Sequence, residues 1–140
     1  MKTNNLAIED TNVIAYLFIE GEMTDVAENT LRQDAVWVAP LLWRSEMRNV
    51  LVASIRAGRL TLANAQRVMD AALSLMRGRE YDVPSAQVLA LAAAHGCSAY
   101  DTEFVALAQD LGLTLVTSDR RLLAAFPDQA VSLAAFSGIG

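Results

Sequence analysis

The sequence predicts an α/β fold, with helices covering both faces of a central parallel sheet. Two observations carry this. Short apolar runs alternate along the chain with longer runs of helical period, which calls for strand–helix–strand crossovers and hence parallel pairing. Hydrophobic residues make up 54% of the 140 residues and charged ones only 19%, which excludes a disordered chain. The length suits one domain spanning residues 1–140.

The elements follow in order. Leu6-Ala7-Ile8 reads as a strand, and Val13 to Ile19 as a helix ended by Gly21. Met23 to Gln33 carries Val26, Ala27 and Leu31 at helical spacing. Val36-Trp37-Val38 is a second strand, stopped by Pro40. Leu41 to Ala57 is a long helix, with Gly58 suited to the left-handed residue that often closes one. Thr61 to Met76 is another, capped by Thr61 and stopped by Gly78. Tyr81-Asp82-Val83 reads as a short strand, and Ser85 to His95 as an alanine-rich helix closed by Gly96. Asp101 to Leu111 is a helix, and Leu113 to Thr117 the clearest strand. Arg120 to Phe126 is a short helix ended by Pro127, and Ala130 to Leu133 is the last strand.

Composition narrows the function. Uncharged stretches such as Val83–Ala94 and Leu111–Ser118 fall short of the roughly 20 residues of a membrane span. The opening residues lack the pattern of a secretion leader. Cys97 is the one cysteine, so a reducing cytoplasm is expected. The formal net charge of −5 argues against a broad basic face for nucleic acid. Ten of the eleven basic residues are arginine, and Lys2 is the single lysine. The single histidine, His95, falls in the last turn of a helix, where an imidazolium suits the negative dipole end.

Four acids fall where a parallel sheet presents ligands, beyond the carboxyl ends of its strands. Asp10 follows the first strand, and Asp119 follows Leu113–Thr117. Glu46 lies in the first turns of one helix, and Asp101 opens another. Gathered in one cleft they would repel, and a cation would relieve the repulsion. Oxygen donors of this kind select Mg²⁺ or Mn²⁺, which suits hydrolysis of a phosphodiester. A plainer reading is also open: sixteen acids scatter along the chain, and acids at helix starts commonly serve as caps.

Local strings favour the first reading. Glu9-Asp10-Thr11-Asn12-Val13-Ile14 resembles the opening motif of PIN-domain proteins. Pro40-Leu41-Leu42-Trp43-Arg44-Ser45-Glu46-Met47-Arg48-Asn49-Val50-Leu51 is similar to the second. Ser98-Ala99-Tyr100-Asp101-Thr102-Glu103-Phe104-Val105-Ala106-Leu107-Ala108 is similar to the third, and Leu115-Val116-Thr117-Ser118-Asp119-Arg120-Arg121-Leu122 to the fourth. Their order and gaps fit over essentially the whole chain, and within the family the VapC toxins of toxin–antitoxin pairs look most similar. The resemblance implies a three-layer α/β/α domain and a Mg²⁺- or Mn²⁺-dependent endoribonuclease. Asp10, Glu46, Asp101 and Asp119 would be its catalytic, metal-binding acids, and Thr11, Asn12 and Thr117 would orient them. It also implies a cognate antitoxin and a homodimer.

The expected substrate is single-stranded or looped RNA, whose backbone bends into a narrow cleft. Arg44, Arg48, Arg120 and Arg121 are the candidate phosphate contacts. Glu103, a fifth acid nearby, is expected on the surface. A receiver-type signalling domain and an Asp-x-Asp phosphohydrolase are disfavoured, because both need a late lysine. A non-catalytic binding module and a DNA-directed nuclease are the alternatives.

Overall fold

The computed structural model describes residues 6–19, 21–33 and 36–137. Eight helices among these residues flank a five-stranded sheet. The strands are β1 (Leu6–Glu9), β2 (Val36–Pro40), β3 (Glu80–Tyr81), β4 (Leu115–Thr117) and β5 (Ala130–Ser132). They lie in the order β3-β2-β1-β4-β5, every pair parallel. The helices are α1 (Thr11–Phe18), α2 (Thr24–Gln33), α3 (Trp43–Arg56), α4 (Leu62–Leu75), α5 (Ser85–His95), α6 (Ala99–Leu111), α7 (Arg120–Ala125) and α8 (Leu133–Ser137). The expected parallel α/β architecture is therefore present.

Successive strands add outward from β1 through β2 to β3. The chain then crosses back to lay β4 on the other side of β1. The order reverses between β1 and β4, which opens a crevice at their carboxyl ends. The core that holds this geometry is built from large side chains with no exposure, among them Ile8, Trp37, Trp43, Met47 and Leu115. Full burial of side chains of this size contributes about 1.5–3 kcal/mol each.

Several boundaries differ from the expectation, each for a local reason. α1 begins at Thr11 rather than Val13, because Asp10 itself caps it and accepts from the Val13 amide at 3.1 Å. α6 begins at Ala99 rather than Asp101, since Ser98 caps it and accepts from the Asp101 amide at 3.0 Å. Pro40 is the last residue of β2 rather than the residue after it. β3 is Glu80–Tyr81 rather than Tyr81–Val83, because its register partners, Ala39 and Pro40, run out at the end of β2. Leu113 is not a strand residue: its amide donates back to the Ala108 carbonyl at 2.9 Å, completing the turn that ends α6. Leu133 opens α8 instead of closing β5, and it is buried in the core. The expected caps at Thr61 and Gly58 are present. Thr61 accepts from Asn64 at 3.1 Å, and Gly58 takes a φ of +76°, where a Cβ would be strained.

Candidate metal centre

The reversal of strand order places the four acids around one cleft of about 230 Å³. Asp10, Glu46, Asp101 and Asp119 all line it, with Thr11 and Asn12 beside them. Each acid arrives on a different element. Asp10 leaves β1 and caps α1, Glu46 lies in the first turn of α3, Asp101 lies in the first turn of α6, and Asp119 caps α7.

Hydrogen bonds hold several of them in place. The Thr117 hydroxyl donates to Asp10 Oδ2 and accepts from the Asp119 amide at 3.0 Å, so one side chain ties two acids together. Thr11 Oγ1 donates to Glu46 Oε1 at 2.7 Å. Asp119 Oδ1 accepts from the amides of Arg121 at 2.8 Å and Leu122 at 3.2 Å. Thr117 is fully buried, and Thr11 nearly so. Asn12 lines the cleft from an exposed position. The Tyr16 hydroxyl lies 3.3 Å from that of Ser118, linking α1 to the loop after β4.

The electrostatics are those of crowded carboxylates. Burial raises the Asp10 pKa, and the Asp119 charge raises it further, against the hydrogen bonds from Thr117 and the backbone. Burial also raises that of Glu46, followed by the charges of Asp101, Asp10 and Glu103. Asp101 is raised by burial and then by Asp119, with Ser98 and Arg121 acting in the opposite sense. Glu103 is half-buried rather than on the surface. It does not line the cleft, yet it stands close enough to Glu46 to add to its repulsion.

These oxygens are the donors that a hard divalent cation takes. Such an ion would offset the burial, and the repulsion added to it, that raise three of the four. In the side-chain arrangement described, no three acidic, histidine or cysteine side chains among the described residues are grouped tightly enough to hold a metal ion. The cleft supplies the right donors around a shared space, and the carboxylates would have to move together to close on an ion.

The candidate arginines separate. Arg121 is near enough to Asp101 to lower its pKa, and Arg120 is exposed beside it at the start of α7. The Arg44 guanidinium is engaged elsewhere, forked onto Glu80 at 2.5 and 2.6 Å. Arg48 lines a separate apolar groove between α3 and α4, with Leu51, Ile55 and Met69. Lys2 falls outside the described residues. His95 is exposed at the end of α5, its ring 4.3 Å from that of Phe126, and it does not line the acidic cleft.

Two cleft residues were not singled out from the sequence, although a signal existed. Asn49 and Phe104 line the cleft, and each follows an acid of the site by three residues. That spacing puts both members of a pair on one helix face.

A model of the PIN domain family matches residues 7–127. Among curated relatives, the chain is 29% identical to Ribonuclease VapC3 of Pyrobaculum aerophilum, over 86% of this chain and 94% of that protein. It is 39% identical to Exonuclease VapC9 of the same organism, over 56% of this chain and 59% of that protein. Among solved structures, PAE2754 from Pyrobaculum aerophilum superposes with a TM-score of 0.77 at 24% identity, over 96% of this chain and 88% of that one. A toxin–antitoxin complex from Klebsiella pneumoniae superposes with a TM-score of 0.64 at 22% identity, over 91% of this chain and 97% of that one.

Proposed function

This chain belongs to the PIN domain family, and on that premise we propose that it is a VapC-type toxin: a Mg²⁺- or Mn²⁺-dependent endoribonuclease kept in check by an antitoxin. The observation that carries the reading is the convergence of Asp10, Glu46, Asp101 and Asp119, from four separate elements, on one cleft at the strand-order reversal. Four partly desolvated acids in one place are costly for a fold unless a cation uses them.

Asp10, Glu46, Asp101 and Asp119 would hold the cation, which would supply Lewis acidity to a phosphoryl oxygen and lower the pKa of the attacking water. Hydrolysis forms a bond from the water oxygen to phosphorus and breaks one backbone P–O bond, with one of the water's protons ending on the leaving oxygen. Thr117 fixes Asp10 and the Asp119 backbone in one orientation, and Thr11 does the same for Glu46. Arg120 and Arg121, exposed at the N-terminus of α7, meet phosphates of the entering strand. The strand is single or looped, because a duplex could not bend into a cleft of this size.

A second groove runs on from the first and shares Asn12 and Val50 with it. Its remaining walls include Tyr16, Ile19, Met23 and Arg59. A segment of antitoxin laid there would reach the acids and block them. No described helix is long and apolar enough to cross a membrane. The protein works in the cytoplasm as a homodimer under this reading.

Cleavage of total small RNA tests the activity. Purified protein freed of any partner is assayed with Mn²⁺, with Mg²⁺ and with EDTA, beside Asp10→Asn. Discrete internal fragments that require metal and vanish in the variant are expected. Trimming to mononucleotides would assign exonuclease action, as in the name of the second relative. Cutting of single-stranded DNA alone would make the target DNA. A folded protein that cuts nothing with any ion would contradict the proposal.

A further inference from the structure

The four acids do not reach the cleft by equal means. Asp10 and Asp119 are themselves the caps of α1 and α7, and Asp101 sits in a turn capped by Ser98. α3, which carries Glu46, has no such device: its first residue is preceded by Leu42, which offers no side-chain cap. Its first turn is held from outside. Glu80, on the edge strand β3, accepts from Trp43 Nε1 at 2.7 Å and from Arg44 Nε and Nη2 at 2.5 and 2.6 Å. Trp43 and Arg44 are the first two residues of the helix, and Trp43 is fully buried.

We propose that Glu80 is a positioning residue that fixes the first turn of α3 and thereby sets Glu46 in the cleft. Three features support this. Glu80 lies beside the end of β2, paired in register with Ala39, so it sits at the foot of the β2–α3 turn. Its backbone neighbour Tyr81 accepts from the Leu41 amide at 3.1 Å, which docks the same turn a second time. A carboxylate at a helix N-terminus also suits the dipole, and the Arg44 hydrogen bonds keep Glu80 below the ordinary glutamate range. Glu46 is then held from two sides, by Thr11 on α1 and by the Glu80 staple through its own helix. The bidentate geometry orients Arg44 and Trp43 together, which a neutral side chain would do less well.

The proposal rests on the cation reading of the cleft, so its test carries one readout that depends on metal and one that does not. Metal-stripped wild type, Glu80→Ala, Glu80→Gln and Thr61→Ala are titrated with Mn²⁺ by calorimetry. Amide hydrogen exchange is followed in parallel without metal. Thr61→Ala removes the cap of α4 and serves as a control for destabilisation outside the site. Glu80→Ala is expected to weaken Mn²⁺ binding about tenfold and to speed exchange in the first turn of α3. Glu80→Gln, which can still accept from Trp43, should be intermediate, and Thr61→Ala should match wild type in both respects at the start of α3. Wild-type Mn²⁺ affinity and wild-type exchange in both Glu80 variants would overturn the proposal. Equal weakening by Thr61→Ala would do so too, since the effect would then be general. If wild type binds no Mn²⁺, the cation reading fails, and exchange alone decides: a loosened first turn upholds the staple, and an unchanged one overturns it. Should Glu80→Ala fail to fold, Glu80→Gln carries both readouts.

Discussion

Thr117 is the side chain on which the geometry of the acids turns. Its hydroxyl binds Asp10 and the Asp119 amide at once, from a position with no exposure. Thr117→Val keeps the shape and removes the hydroxyl. It should lower metal-supported cleavage by about 10–100-fold, with the loss appearing in Mn²⁺ affinity as measured by calorimetry. Asp10→Asn, which removes the charge and one of the two carboxylate oxygens, should cost more. The raised acids also set a pH dependence. Asp10, Glu46 and Asp101 hold protons more tightly folded than unfolded, so folding takes up protons above about pH 4. The stability they contribute is full below their unfolded values and is lost as pH rises through their folded ones. Glu80 has the opposite sign: its contribution is present above its unfolded value and fades as pH falls through its lowered one. Between about pH 5 and 7 Glu80 stays ionised in both states, so the raised acids dominate. Thermal melts of EDTA-treated protein should give a Tm that falls across this range. Added Mn²⁺ should restore more stability at pH 7 than at pH 5, where protons compete for the same oxygens. A Tm that rises with pH in EDTA would mean that the acids are not desolvated as described.

At the scale of elements, the helix ends do the positioning, and this explains what could be read in the sequence. Asp10 and Asp119 were legible because each follows an apolar run, and Asp101 because it is an acid at the opening of a helical run. Glu46 was legible as an acid in a first turn. Glu80 was not legible: its partners Trp43 and Arg44 lie 37 and 36 residues away, and the short strand expected at Tyr81–Val83 left Glu80 just outside it. α8 escaped because five residues carry too little periodicity to declare a helix, even though Ser132 caps it by accepting from the Ala135 amide at 3.1 Å. The fate of Arg44 was also beyond the sequence, because a long flexible side chain takes whichever carboxylate the fold brings near. The control at this scale is Thr61→Ala. Loss of that cap should cost about 1 kcal/mol in denaturant unfolding and leave cleavage per folded molecule unchanged. A loss of cleavage would show that α4 is coupled to the site through α3 and α1, on which it packs.

For the whole molecule, topology concentrates function at one edge of the sheet. A parallel order that reverses beside β1 brings Asp10 and Asp119 together, and the crossovers start α3 and α6 at the same edge. The parallel architecture was legible from alternation alone, but the strand order was not, since alternation does not say on which side of β1 the fourth strand is laid. The net charge of −5 opposes RNA at long range, so binding should depend on the cation and on a few arginines. Arg120→Ala with Arg121→Ala should weaken binding of a short RNA in Mn²⁺ and flatten its salt dependence, as read by fluorescence anisotropy. An unchanged salt slope would remove α7 from the RNA path. If four acids from four elements form one centre for a divalent cation, anomalous diffraction from a Mn²⁺-soaked crystal should show Mn²⁺ density among Asp10, Glu46, Asp101 and Asp119; a cleft without Mn²⁺, with the ion bound only elsewhere on the surface, would contradict it.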